Sequence, residues 1–231
     1  MRYKIGFPKK WKDFSKLFLH NDSFVLNGFN CNYFNFNYEI SKLDKKVDKE
    51  IWYMSPHIVN AYYSPRGNEI VFPAAILQEP FYNKSKGNIY NFSRLGEVIG
   101  HEMTHGFDDQ GKEYDLYGNL KNWWKKEDEE NYNKKAQNVI RQYNKYKIFK
   151  KNVNGKLTQG ENIADIGGFN ITLSAYKLIN PKYTKKNLID FFKSFTTLWR
   201  NKIRKNAQLN MLKIDPHSPA IFRINGTLSN N

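Results

Sequence analysis

Two histidines four residues apart, His101 and His105, lie in a stretch whose apolar spacing predicts a helix over 93–107. On a helix this spacing puts both imidazoles on one face, about one turn apart, where two nitrogens can reach a single Zn²⁺. Glu102 follows the first histidine, so it would lie beside the metal and could take a proton from metal-bound water. The alternative interpretation is two hydrogen-bonded histidines on a half-buried helix.

A hydrolytic zinc site needs a third protein ligand and an open fourth position. Glu161 and Asp165 are also four residues apart, in a second predicted helix over 161–179. One of these carboxylates can bind the metal, while the other can accept the distal N–H of a ligand imidazole. A capping glutamate and a solvated aspartate are the alternative. Gly167 and Gly168, which follow directly, indicate close approach of a neighbouring element.

The elements that must position these residues are mostly helical. Two short β-prone runs flank a Pro-Arg-Gly-Asn turn and predict a hairpin that Pro73 ends. Ser93 is the predicted N-cap of the first histidine helix. We expect a single domain over 1–231, mostly α with a small β element. The predicted strands are 59–64 and 69–72, and the predicted helices are 21–43, 93–107, 125–151, 161–179 and 188–203.

Composition excludes several classes of protein. The 231 residues carry 37 Lys+Arg against 22 Asp+Glu, a formal net charge of +15. Most of these cations are lysines and the arginines are scattered, which argues against a nucleic-acid partner. Cys31 is the only cysteine, so a disulfide-stapled secreted domain is excluded. The longest apolar run, 70–77, is too short to span a bilayer and no signal peptide is recognisable, so we expect a cytoplasmic chain with no membrane partner.

Several motifs, in the same order along the chain, closely resemble the catalytic domain of the neprilysin-like zinc metallopeptidases. That family includes the endothelin-converting enzymes and bacterial oligopeptidases. The resemblance implies an α+β, mostly α fold: a gluzincin, or thermolysin-like, catalytic domain with a small β-sheet edge and a zinc-binding helix. The motifs are His101–His105, Glu161–Asp165, Asn60–Ser64, Glu69–Leu77, Gly106–Asp109, Trp123–Trp124 and Phe222–Leu228.

The same resemblance implies a role for each matching residue. The zinc ligands are His101, His105 and Glu161, which hold one Zn²⁺ per chain, and the general base is Glu102. The residues that orient ligand histidines are Asp165 and, as a helper, Asp108. The substrate backbone is bound by Asn60 and Ala61 on an edge strand. The late residues are His217, which stabilises the oxyanion, and Arg223, which holds a substrate carbonyl or shapes an apolar pocket. From its Pro-rich surroundings alone, the alternative interpretation of His217 is a simple turn residue, and without the resemblance this alternative is the favoured one.

The implied function is zinc-dependent hydrolysis of short peptides on the amino side of hydrophobic residues. Family members are longer, and the resemblance implies that a helical N-terminal roof and a C-terminal tail are absent. The lack of an anchor and of paired cysteines suggests a bacterial, intracellular type. One alternative is a remnant or half-enzyme that binds zinc and peptide but needs a separate N-terminal half for turnover. Another is a basic nucleic-acid binder with a structural zinc, against which the single cysteine argues.

Overall fold

The computed structural model describes residues 1–230, and the chain forms two compact units. The smaller unit is Phe7–Tyr53, and the larger one combines residues 1–6 with the chain from Met54 onward. Every predicted site residue belongs to the larger unit. The expectation of one catalytic domain over 1–231 stays a prediction.

The smaller unit is built on helix α1, Phe24–Ile40, which confirms the helix predicted within 21–43. Ser23 caps this helix, because its hydroxyl accepts the backbone N–H of Leu26 at 3.3 Å. None of the α1 residues is buried. The ammonium group of Lys12 lies 4.2 Å from the ring centre of Tyr38, a cation–π contact within the unit.

The larger unit contains a three-stranded sheet in the order β1-β3-β2. Strand β3 is central and wholly buried, since β1 pairs with it in parallel and β2 in antiparallel orientation. The predicted hairpin is therefore confirmed, with β2 at one edge of the sheet. Strand β1 was not predicted, because only Lys4 of its five residues is buried and no run of buried apolar residues marks the strand. The strands are β1 Arg2–Gly6, β2 Tyr62–Ser64 and β3 Glu69–Pro73.

Helices make up most of the rest of the larger unit, so the predicted mostly α class with a small sheet is confirmed. A π-helical turn, Phe92–Gly96, joins α2 to α3, and a 3₁₀ turn, His105–Phe107, follows α3. No helix within residues 1–230 is both long and apolar enough to cross a membrane. The elements are α2 Asn88–Asn91, α3 Glu97–Thr104, α4 Lys126–Tyr143, β4 Lys147–Ile148, β5 Lys151–Asn152, α5 Gln159–Ile179, α6 Lys185–Leu198, α7 Lys205–Ile214 and α8 Ala220–Leu228.

Three predicted boundaries are wrong. Ser93 is not an N-cap, because the helical run starts at α2 and the Ser93 hydroxyl, fully buried, donates to the Tyr90 carbonyl. The charged helix ends at Tyr143 instead of residue 151, and the chain then forms the β4–β5 hairpin. Phe149 and Lys150 take positive φ angles in that turn, a conformation that these residue types do not predict. The helix predicted to end at 203 ends at Leu198.

Helices α3 and α5 approach each other through glycine, as the Gly167-Gly168 pair predicted. A Cβ on Gly168 would lie 2.5 Å from the backbone nitrogen of His101, and one on Gly100 would lie 2.7 Å from the Gly168 carbonyl oxygen. The backbones are therefore in contact at the level of the first histidine. Because the two backbones are so close, short side chains on α3 can contact side chains on α5.

Candidate active site

The two histidines on and just after α3 face each other. Their Nε2 atoms are 3.0 Å apart, while Nδ1 of His101 is 2.8 Å from Asp165 Oδ1 and Nδ1 of His105 is 2.6 Å from Asp108 Oδ2. A carboxylate can only accept, so each Nδ1 carries the proton in the neutral ring. Each Nε2 then presents a lone pair, and two lone pairs this close repel each other unless a cation lies near both.

Glu161, in the first turn of α5, supplies a third donor atom. Its Oε2 lies 3.3 Å from His101 Nε2 and 3.7 Å from His105 Nε2. That oxygen is buried and has no hydrogen-bond partner among the described residues. One donor atom from each residue lies within 4.8 Å of the others. Two imidazole nitrogens and one carboxylate oxygen are a donor set of catalytic zinc sites, so these residues fit Zn²⁺.

Asp165 links the first histidine to Arg223. Besides His101, it accepts hydrogen bonds from Arg223 Nε at 2.8 Å and Nη2 at 2.5 Å. Burial opposes ionisation of Asp165, but the guanidinium and His101 hold its pKa below its usual value. Burial likewise disfavours His101 as a cation, yet the hydrogen bond to Asp165 and the adjacent Glu161 carboxylate raise its pKa to about 10. This imidazole is therefore surrounded by negative charge, which also favours a bound metal cation.

Asp108 fixes the second histidine through the turn that follows α3. While Oδ2 contacts His105, Oδ1 accepts the backbone N–H groups of Gln110 at 2.8 Å and Gly111 at 2.6 Å. The carboxylate is buried and its acceptor positions are occupied by these groups. The imidazole orientation of His105 is thus set by a locally rigid turn.

Glu102 is buried beside the histidines at 5% exposure. Burial raises its pKa, and the nearby His101 and His105 act in the opposite sense. A general base benefits from a raised pKa, because proton transfer is most efficient when the pKa lies near the working pH.

His217 reaches the site from the loop between α7 and α8. Its Nε2 lies 3.2 Å from Glu161 Oε2, and its Nδ1 lies 2.9 Å from Asp215 Oδ1. The adjacent Glu161 carboxylate raises the pKa of His217 although burial opposes this. Asp215 also accepts the backbone N–H of His217. His217 is therefore a turn residue, and its side chain also reaches the site.

These side chains line a cavity of about 480 Å³. The chain leading into the edge strand β2 forms one wall, where the Ala61 N–H donates to the Asn60 side-chain oxygen at 3.0 Å. Arg223 forms part of another wall and lies 3.9 Å from the ring centre of Trp199. The structure brings all the predicted site residues to this cavity except Asp165, which lies behind His101 and Arg223.

The sequence analysis did not assign several other lining residues to the site, among them Tyr63, Glu97 and Trp199. Glu97 had a usable signal, since residues 97, 101 and 105 repeat the spacing of four on one helix face. Neither Tyr63 nor Trp199 carries such a signal, because both look like ordinary core aromatics.

The chain is similar to known peptidases in sequence. The model of "Peptidase family M13" matches residues 60–231. An endothelin-converting enzyme homolog of Locusta migratoria is 42% identical over 98% of this chain and 33% of its own length. Neprilysin-3 of Drosophila melanogaster is 40% identical over 98% of this chain and 31% of its own length. The chain thus spans about a third of the length of these curated relatives.

Solved structures give the same relationship. The Mycobacterium tuberculosis zinc metalloprotease ZMP1, in complex with inhibitor, superposes with a TM-score of 0.94 and 40% identity, covering 98% of this chain and 36% of that chain. PepO from Lactobacillus rhamnosis HN001 superposes with a TM-score of 0.92 and 32% identity, covering 100% and 36%. Since the sequence relatives are animal proteins and these two structures are bacterial, the bacterial-type prediction is not supported.

Proposed function

The chain belongs to peptidase family M13, and from this premise we propose that its cavity binds one zinc ion and hydrolyses peptide bonds. The observation that carries the proposal is the meeting of two imidazole Nε2 atoms and the orphaned Glu161 oxygen, with a buried Glu102 beside them. A structural zinc site would have its coordination closed by protein ligands, commonly cysteines. Here three donors face a cavity instead.

Zinc, when bound, supplies Lewis acidity that acidifies water and polarises a carbonyl group. The residues of this chain do the rest. Glu102 takes the proton of the attacking water and returns a proton to the departing amine. His217 donates a hydrogen bond to the oxyanion that develops on the substrate carbonyl. Asp165 and Asp108 hold the two imidazoles in the tautomer that leaves Nε2 free to bind metal.

The substrate we propose is a short peptide that lies along the chain at Asn60 and Ala61. An extended peptide placed beside an edge strand gains main-chain hydrogen bonds without much reading of its sequence. The cavity volume of about 480 Å³ is that of a small-ligand pocket and suits a few residues of an extended peptide. We take over from the family resemblance the expectation of cleavage on the amino side of a hydrophobic residue.

The test is cleavage of a quenched peptide mixture by the zinc-loaded chain and by the variant Glu102→Gln. We expect the variant to keep its zinc and to lose at least about 100-fold in turnover, since a proton-transfer group is removed while the ligands remain. Product sequencing then reports the cleaved bonds. A folded wild-type chain with one bound zinc and no turnover would contradict the proposal.

A further inference from the structure

Glu97 is a buried carboxyl group without a partner. It lies on α3 one turn before His101 and is 1% exposed. Both of its side-chain oxygens lack a hydrogen-bond partner among the described residues. Burial, reinforced by Asp165, raises its pKa to about 8. Buried polar groups without partners are rare in folded proteins and call for an explanation.

The group lines the same cavity as the proposed zinc ligands. Ile76, Phe81 and Val98 line it as well, so apolar surface and a carboxyl group are present in one pocket. None of the mechanistic steps above uses Glu97, and none of the described Lys or Arg side chains forms an ion pair with it.

The cavity as a whole is acidic, although the chain carries a net charge of +15. Arg223 is the only Lys or Arg among its described lining residues. The excess of lysine and arginine therefore lies outside the cavity, and the acidic lining of the cavity attracts positively charged groups. The acidic lining residues are Glu97, Glu102, Asp108, Asp109 and Glu161.

We propose that Glu97 is a specificity-determining residue that selects peptides with a lysine or arginine side chain next to the cleaved bond. The inference rests on the proposed peptidase function and extends it, because it adds a cation to the hydrophobic preference expected from the family. The methylene stem of such a side chain packs against Ile76, Phe81 and Val98, and its charged head donates to Glu97.

The energetic reason is the shielding of Glu97 from water. A charge-assisted hydrogen bond formed away from solvent is stronger than one on the surface, and salt screens it less. A peptide with an uncharged side chain would leave the carboxyl group without a partner, which is the costly arrangement. Discrimination between a cationic and an apolar side chain of equal length should therefore be about ten- to hundredfold.

The experiment compares quenched peptides that differ only in lysine or norleucine, placed after the cleaved bond in one series and before it in another. Norleucine keeps the lysine stem and lacks the ammonium group. For the zinc-loaded chain we expect kcat/KM to favour lysine by about ten- to hundredfold in one series. In Glu97→Leu the ratio should invert in favour of norleucine. The Glu97→Gln variant, which can still accept a hydrogen bond, should fall between the two.

The matched control is Asp109→Asn, which removes another cavity carboxylate that has a buried oxygen without a partner. This variant should keep the lysine preference; if it loses the preference as fully as Glu97→Leu does, the general charge of the cavity is responsible and the inference is wrong. Equal kcat/KM for lysine and norleucine in the wild-type chain would also overturn it, while leaving the peptidase proposal intact.

A binding measurement separates this inference from the peptidase proposal. Fluorescently labelled lysine and norleucine peptides are titrated onto Glu102→Gln, with and without Glu97→Leu, and anisotropy reports their Kd values. Tighter binding of the lysine peptide that disappears with Glu97→Leu supports the inference even if turnover fails. Equal Kd values for the two peptides overturn it.

Discussion

At the residue scale, Asp165 has two buried partners, His101 and Arg223, with which it makes three short contacts. An aspartate with one of these partners would be an ordinary positioning group. With both, it also compensates the charge of a buried arginine. Asp165 should therefore contribute both to zinc binding, through His101, and to stability, through Arg223.

The variant Asp165→Asn should weaken zinc binding and stability together. Loss of the carboxylate behind a ligand histidine typically costs 10- to 100-fold in metal affinity. The uncompensated Arg223 should lower the free energy of unfolding by about 3–5 kcal/mol. Competition with a zinc chelator and urea denaturation measure the two effects.

Asp108→Asn is the matched comparison, because Asp108 also contacts a proposed ligand histidine but forms no bond with an arginine in the described structure. We expect a similar loss of zinc affinity with a smaller loss of stability, about 1–3 kcal/mol. Equal losses of stability in the two variants would show that the pairing of Asp165 with Arg223 adds no stability of its own.

At the scale of elements, the site depends on the glycine contact between α3 and α5. Of the three proposed zinc ligands, two lie on or just after α3 and one lies on α5. Their separation is therefore set where Gly100 meets Gly168. A methyl group at Gly168 would meet backbone atoms of α3, which cannot rotate away as a side chain can.

Gly168→Ala should push the two helices apart and weaken zinc binding without touching a ligand. Overpacking of this kind costs about 1–3 kcal/mol of stability, and we expect a loss of zinc affinity of at least tenfold. Gly28→Ala on α1 is the control, since its added Cβ would meet nothing within 4 Å. That variant should be neutral or stabilising by up to about 1 kcal/mol. Unchanged zinc affinity in Gly168→Ala would contradict this view of the helix contact.

Elements with a strong local signal could be predicted from the sequence, and the others could not. Local signals of this kind come from residues close together in the chain. They are the spacing of four in 101–105 and in 161–165, and the turn between β2 and β3, and the expected helices and hairpin are present. The bond between Asp165 and Arg223 joins residues 58 positions apart, and no periodicity announces it. Ser93 lies inside the π-helical turn that joins α2 to α3, so the helical run begins before Ser93. Here tertiary packing overrides the preference of serine for the N-cap position.

At the scale of the whole molecule, an unpartnered carboxyl group makes stability depend on pH. Burial raises the pKa of Glu97 from 4.5 to about 8. Between these values the folded chain holds a proton that the unfolded chain has released. The stability from this proton is therefore complete below about pH 4.5 and is lost as the pH rises to about 8.

Glu97→Gln should remove this dependence. We expect the free energy of unfolding of the variant, relative to wild type, to rise by a few kcal/mol between pH 5 and pH 8. Urea denaturation of the metal-free proteins at several pH values measures the difference. Glu130→Gln, at an exposed position of α4, should show a flat difference. A flat difference for Glu97→Gln as well would mean that its carboxyl group is not raised in pKa.

We propose above all that one zinc ion at His101, His105 and Glu161 makes this chain a peptidase. The most direct test titrates zinc into the metal-free chain and measures bound zinc and peptide turnover in the same samples. We predict that turnover rises in proportion to bound zinc and saturates at one ion per chain. Turnover that survives without zinc, or zinc that saturates a folded chain without producing turnover, would contradict the account.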